Sequence, residues 1–216
     1  MLSIRNLVVL TGIACVALVG LLYSDLYQPA FAAKFIASTS FLALAIRARA
    51  MASTYGRLIL LGLGFSWCGD MFLTGQSQLA FLAGLCAFLL GHVAYVTAFI
   101  RHGYHRAWVF IAAVPVLAVA VAVLAWLAPH TPPELEIPVR AYVAVISLMV
   151  IFAYGTRGRD GTILIIAGAT LFFLSDLSVA ALRLAQTGYP TYVLGLPFYY
   201  AGQVCLALSV SHSRSH

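Results

Sequence analysis

Residues 58–73 read LILLGLGFSWCGDMFL, and residues 162–184 read TILIIAGATLFFLSDLSVAALRL. The first run approaches and the second exceeds the roughly 20 residues that a helix needs to cross a hydrocarbon core about 30 Å thick, and each carries one aspartate, Asp70 or Asp176. An aspartate at the centre of a membrane helix costs about 2.5–3.5 kcal/mol on insertion scales. Such a residue therefore faces a bundle interior and has a partner there. These two stretches define an apolar helical chain that holds two carboxylates away from water.

Working outward, similar apolar runs fill the rest of the chain, roughly at 6–23, 29–46, 79–100, 107–128, 138–154 and 190–211. Short breaks with turn or charge signals separate them: Ser24-Asp25, Arg47-Ala48-Arg49, Thr74-Gly75-Gln76, Arg101-His102-Gly103, Pro129 to Pro133, Gly155 to Gly161 and Gly188-Tyr189-Pro190. The spacing predicts an all-α polytopic membrane bundle of about eight helices, forming one transmembrane domain over residues 1–216. Composition agrees. Of the 216 residues 63% are hydrophobic and only 8% charged, against roughly a quarter charged in a soluble domain; the mean hydropathy is +1.00. The run ending at Tyr23 has the make-up of a signal sequence with Ala30-Phe31-Ala32 as a poor cleavage site. It ends well before those alanines and reads as a first span.

The charges set the topology. With the N-terminus in the cytoplasm, Arg5, Arg47, Arg49, Arg57, Arg101, Arg106, Arg157, Arg159 and Arg214 all fall on that side. The other side receives Asp25, Glu134 and Glu136, with Arg140 and Arg183 as its cations. This is the positive-inside pattern, and an even helix count returns the C-terminus to the cytoplasm. Trp108 and Trp126 bracket the fifth run as interfacial anchors. Because the cations sit at helix ends and form no basic face, the net charge of +6 is membrane topology and no sign of a nucleic-acid partner. Cys15, Cys68, Cys86 and Cys205 are isolated in apolar runs and read as small hydrophobes. With no Cys/His metal spacing, no HExxH, no nucleophile elbow and no phosphate-cradling glycine loop, neither a metal nor a cofactor is expected.

A weak repeat runs through the chain. Phe65 to Asp70 resembles Phe172 to Asp176, and the next helix carries Gly91-His92-Val93-Ala94-Tyr95 in one half and Tyr199-Tyr200-Ala201-Gly202-Gln203 in the other. Helices three and four then match helices seven and eight, a possible 4+4 parallel repeat. At about 1.5 Å per residue, Asp70, Asp176 and Lys34 all fall in the outer half of the membrane, where they could share one level and one cavity. A structural Lys34–Asp70 pair is the competing reading, as is Lys34 snorkelling to the interface. His92 and Tyr95 share a face of helix four, and Tyr200 and Gln203 a face of helix eight; Tyr142 lies in the outer half of helix six. These side chains are candidates to bind or orient a substrate, or to satisfy an aspartate. Arg183 reads as an interface marker.

At these residues the sequence resembles the lysoplasmalogenase (YhhN-like) membrane family. The likeness runs through Leu63 to Asp70, Phe81 to Tyr95, Gly168 to Asp176 and Tyr199 to Gln203, with Arg140-Ala141-Tyr142 leading to Met149. One departure is Phe35, where the family's second helix usually has a proline directly after the lysine. The resemblance implies hydrolysis of the vinyl-ether bond of a lysophospholipid with one aliphatic tail, giving a fatty aldehyde and glycerophosphoethanolamine or glycerophosphocholine. It also implies Asp70 and Asp176 as an acid/base couple, with one protonated and the other ionised near Lys34, and Lys34, His92, Tyr95, Tyr142, Tyr200 and Gln203 in binding or supporting roles. The expected setting is a bacterial inner membrane, with membrane lipids as neighbours. A proton-coupled carrier using the same carboxylates is the alternative from another class.

Overall fold

The structure, a computed structural model, describes residues 2–75, 77–188 and 190–212; Gln76, Tyr189 and Arg214, used above for turns and topology, lie outside the described residues. Among the described residues eight α-helices follow one another: α1 Ile4–Tyr23, α2 Tyr27–Arg47, α3 Thr54–Phe72, α4 Gln78–His102, α5 Arg106–Leu127, α6 Pro133–Gly155, α7 Thr162–Arg183 and α8 Thr191–His212. No strand occurs among the described residues. The helix starts follow local chemistry. The side chains of Ser3, Ser53 and Ser77 accept the backbone N–H groups of Asn6, Gly56 and Ala80 at the starts of α1, α3 and α4, satisfying donors that a helix cannot bond internally.

Seven of the eight helices are long and apolar enough to cross a membrane; the molecule is an integral membrane protein. The eighth, α3, falls below that mark because Gly56, Gly62, Gly64, Gly69, Arg57, Ser66 and Asp70 dilute its 19 residues. The sixth helix differs from the sequence reading. It is 23 residues long and starts at Pro133, not at 138. Pro133 occupies the first turn, where its missing N–H costs nothing, and the helix continues through Pro138.

Short turns make successive helices antiparallel, and α1/α2, α3/α4, α5/α6 and α7/α8 pack as hairpins. Across hairpins, α4 packs on α6 and α8 on α1, α2 and α3. Helix α5 lies outermost and is the least buried. Its N-terminal Trp108 is covered by the Arg157 guanidinium at 3.9 Å from the ring centroid. The centre is aromatic: Phe172 meets Tyr199 edge-on at 5.3 Å and Phe88 at 5.9 Å.

Two glycine crossings, one in each half, bring neighbouring helices close together. A Cβ on Gly91 would lie 3.1 Å from the Gly62 carbonyl oxygen, and one on Gly168 would lie 3.0 Å from the Gly202 carbonyl oxygen. A side chain at either position would make the opposing backbone give by a few tenths of an ångström. Gly62 stands eight residues before Asp70, and Gly168 eight before Asp176; Gly91 precedes His92, and Gly202 precedes Gln203. Each crossing glycine of α4 and α8 is thus followed directly by a buried polar residue, His92 or Gln203.

Candidate active site

At the end of the bundle where α2, α4, α6 and α8 begin, the helices diverge around a cavity of about 920 Å³. Lys34, Asp70, Tyr142 and Asp176 line it, among mostly apolar side chains. Two residues before the end of α3, Asp70 is 3% exposed. Lys34 Nζ of α2 lies 3.5 Å from its Oδ1, and Ser38, one turn further along α2, donates to its Oδ2 at 2.5 Å. The Ser38 oxygen also lies 3.1 Å from the Tyr200 hydroxyl of α8. With the Ser38 proton committed to the carboxylate, Tyr200 is the donor in that second bond. Tyr199 reaches the same carboxylate from α8 and touches the Ser66 carbonyl oxygen at 3.3 Å.

Asp176 has a different retinue. Tyr142 of α6 donates to its Oδ2 at 2.7 Å. His92 of α4 places Nε2 3.2 Å from the same oxygen and 2.9 Å from the Tyr142 oxygen. Since the Tyr142 proton lies on Asp176, the geometry calls for the proton of His92 on Nε2. Its Nδ1 has no partner among the described residues, and the ring packs 4.6 Å from that of Phe172. The Asp176 side chain is 17% exposed against 4% for Asp70, so Asp176 is the carboxylate more open to the cavity.

The candidates therefore divide into layers. Lys34, Asp70, Tyr142 and Asp176 meet the cavity; His92 and Tyr200 stand directly behind them. Tyr95 and Gln203 lie deeper, joined to each other through the Tyr95 hydroxyl and Gln203 Oε1 at 2.9 Å, with Ser66 Oγ 3.4 Å from that hydroxyl. Neither lines the cavity. Lys34 sits in an unbroken α2, and Phe35 beside it packs edge-on against Trp67 at 5.8 Å. Sequence reasoning passed over three residues. Ser38 was detectable, because it follows Lys34 by four and shares its helix face. Tyr199 was masked by its neighbour Tyr200. Arg183, read as an interface marker, lines the cavity with its guanidinium 5.8 Å from the Phe81 ring. Among the described residues no three His, Cys, Asp or Glu side chains gather as a metal site.

Each carboxylate is thus held by one helix of its own half and one of the other: α2 and α8 for Asp70, α6 and α4 for Asp176. This arrangement defines a helical membrane protein with a two-carboxylate site between its N-terminal and C-terminal halves. The chain belongs to the YhhN family, whose model matches residues 29–210. It is 32% identical over 168 residues to lysoplasmalogenase TMEM86A of Bos taurus, covering 72% of this chain and 66% of that protein. It is 33% identical over 138 residues to lysoplasmalogenase TMEM86B of Sus scrofa, covering 62% of this chain and 55% of that protein. The matches thus span between about half and two thirds of those relatives' lengths. No solved structure matches the chain.

Proposed function

We propose that this protein is a membrane hydrolase that cleaves the vinyl-ether bond of lysoplasmalogens, yielding a fatty aldehyde and glycerophosphoethanolamine or glycerophosphocholine. The observation that carries the proposal is the pair of differently partnered carboxylates on one apolar-walled cavity. The lysoplasmalogenase names of the two relatives support it.

A vinyl ether hydrolyses by protonation at the carbon remote from its oxygen. The alkene electron pair takes the proton, and positive charge develops on the carbon attached to oxygen. Water then adds there with loss of a proton, and the hemiacetal breaks its C–O bond to give aldehyde and the glycerol hydroxyl. In this mechanism Asp176, the more open carboxyl group, delivers the proton, while Tyr142 and His92 fix its orientation and replenish the proton. Asp70, paired with Lys34, is the ionised group that faces the oxocarbenium ion and accepts the proton of the attacking water. Glycosidases divide labour between two carboxyl groups around a similar cation. Ser38, Tyr199 and Tyr200 hold Asp70 in place, whereas Tyr95 and Gln203 stiffen the α4–α8 contact behind the site. In the same reading the arginine-bearing helix ends face the cytoplasm of a bacterial inner membrane, and the cavity opens to the opposite side.

The test is aldehyde release from lysoplasmalogen by purified Asp70→Asn and Asp176→Asn variants whose thermal melts show a folded chain. General acid/base catalysis contributes roughly 10²–10⁴-fold, so each variant is expected to lose at least about 100-fold in turnover. Near-normal turnover in both would sink the mechanism. Uptake of lipid into sealed liposomes with no product would favour the carrier.

A further inference from the structure

Two cations line the cavity, Lys34 and Arg183. Lys34 is committed to Asp70 at 3.5 Å. Arg183 has no ion-pair partner among the described residues, and the cavity wall holds no acidic side chain besides the two aspartates. It closes α7 at the cavity mouth, half-buried, its guanidinium held over the Phe81 ring. Thr74, Gln186 and Thr191 supply neutral polar surface on the same wall. Among the described residues its donors meet no anion. A planar guanidinium with two parallel N–H donors suits a phosphate better than any other common anion except a carboxylate.

The spacing selects the ligand further. Arg183 follows Asp176 by seven residues on α7. Seven residues advance about 10.5 Å and return to within about 20° of the same face. In a 1-alkenyl glycerophospholipid, eight bonds separate the alkene carbon that takes the proton from a phosphate oxygen. At the roughly 1.2 Å per bond of an extended chain, that is about 9–10 Å. We infer that Arg183 is the phosphate subsite of the cavity, binding the phosphodiester of a lysophospholipid head group while Asp176 meets the alkenyl bond two helical turns below. The inference rests on the lysophospholipid reading above and adds a recognition residue to it. In this arrangement Lys34 belongs to Asp70.

Binding separates the subsite from the reaction. The full chain in maltoside micelles is titrated with a non-cleavable 1-alkyl lysophosphatidylethanolamine and with the matching 1-alkylglycerol, which has no phosphate. A charge-assisted hydrogen bond is worth enough to change affinity by about 10- to 100-fold. The unmodified protein is therefore expected to prefer the phosphate-bearing lipid by that factor, Arg183→Gln to lose the preference, and Arg183→Lys to keep part of it, with all three melting as folded proteins. Equal preference in the unmodified protein and Arg183→Gln would overturn the assignment, as would loss of preference in Lys34→Met alone. Saturable, Arg183-dependent binding of inorganic phosphate with no gain from the lipid phosphate would also overturn it, marking a free-anion site. If aldehyde is released but Arg183→Gln keeps the head-group preference, the subsite falls and the hydrolase stands. If Arg183 governs head-group preference and no aldehyde forms, the hydrolase falls and the subsite stands.

Discussion

Replacing Lys34 with methionine removes one charge of a buried pair and leaves the stem length intact. Asp70 is 4% exposed and Lys34 13% exposed at a separation of 3.5 Å. At an effective dielectric of roughly 20 their attraction is about 5 kcal/mol, and stripping one partner from a buried pair costs about 3–5 kcal/mol. Ser38 still donates to the carboxylate at 2.5 Å, which offsets part of the loss and places the expected cost near 3 kcal/mol. For a chain of this size that lowers Tm by roughly 6–12 °C. Asp70→Asn costs less, because Lys34 lines the cavity and is 13% exposed, so its freed ammonium can bend toward water. The double variant Lys34→Met/Asp70→Asn removes both charges and is expected within about 1 kcal/mol of the unmodified protein. Thermal melts and SDS titrations of the four proteins in maltoside give the coupling energy. Additive losses, with a coupling below about 0.5 kcal/mol, would refute the claim that the two residues act as one buried unit.

Tyr142→Phe deletes the 2.7 Å donor to Asp176 and is expected to lower turnover about 10- to 100-fold with little change in KM; unchanged turnover would remove Tyr142 from the site chemistry. Gly202→Ala sets a Cβ 3.0 Å from the Gly168 carbonyl oxygen and 3.2 Å from the Phe172 nitrogen. The cost is about 1–3 kcal/mol, whereas Gly64→Ala, with nothing within 4 Å, gains up to about 1 kcal/mol of helix propensity; parallel melts read both. Tyr95→Phe leaves the buried Gln203 Oε1 without its 2.9 Å donor. It should cost about 1–3 kcal/mol of stability while turnover per folded molecule stays near that of the unmodified protein.

Much of this was legible in the sequence because the bilayer restricts the choices: a run of about 20 apolar residues crosses it as a helix. Seven helices meet that test, and the aspartates of α3 and α7 announced themselves by their cost. The sixth helix was misjudged because Glu134 and Glu136 look like loop residues, although acidic side chains suit a helix N-terminus. Arg183 was set aside for a related reason. A cation at the end of an apolar run reads the same whether it faces water or a cavity, and only the position of Phe81 separates the two. The roles of His92 and Gln203 were equally closed to one-dimensional reading. Both are wholly buried and follow a crossing glycine, yet one turns to Asp176 and the other to Tyr95. That choice depends on what the opposing helices present.

The exchange of helices around the two carboxylates bears on how the chain is made. Synthesis proceeds from the N-terminus, so α2 with Lys34 enters the bilayer before α3 brings Asp70. His92 on α4 and Tyr142 on α6 are likewise in place before α7 brings Asp176. Each acidic side chain thus meets its principal partner on an earlier segment, and neither must wait unaccompanied in hydrocarbon for a later one. Only the last helix, with Tyr199 and Tyr200, arrives after both acids, as a bolt shot home once the door is shut.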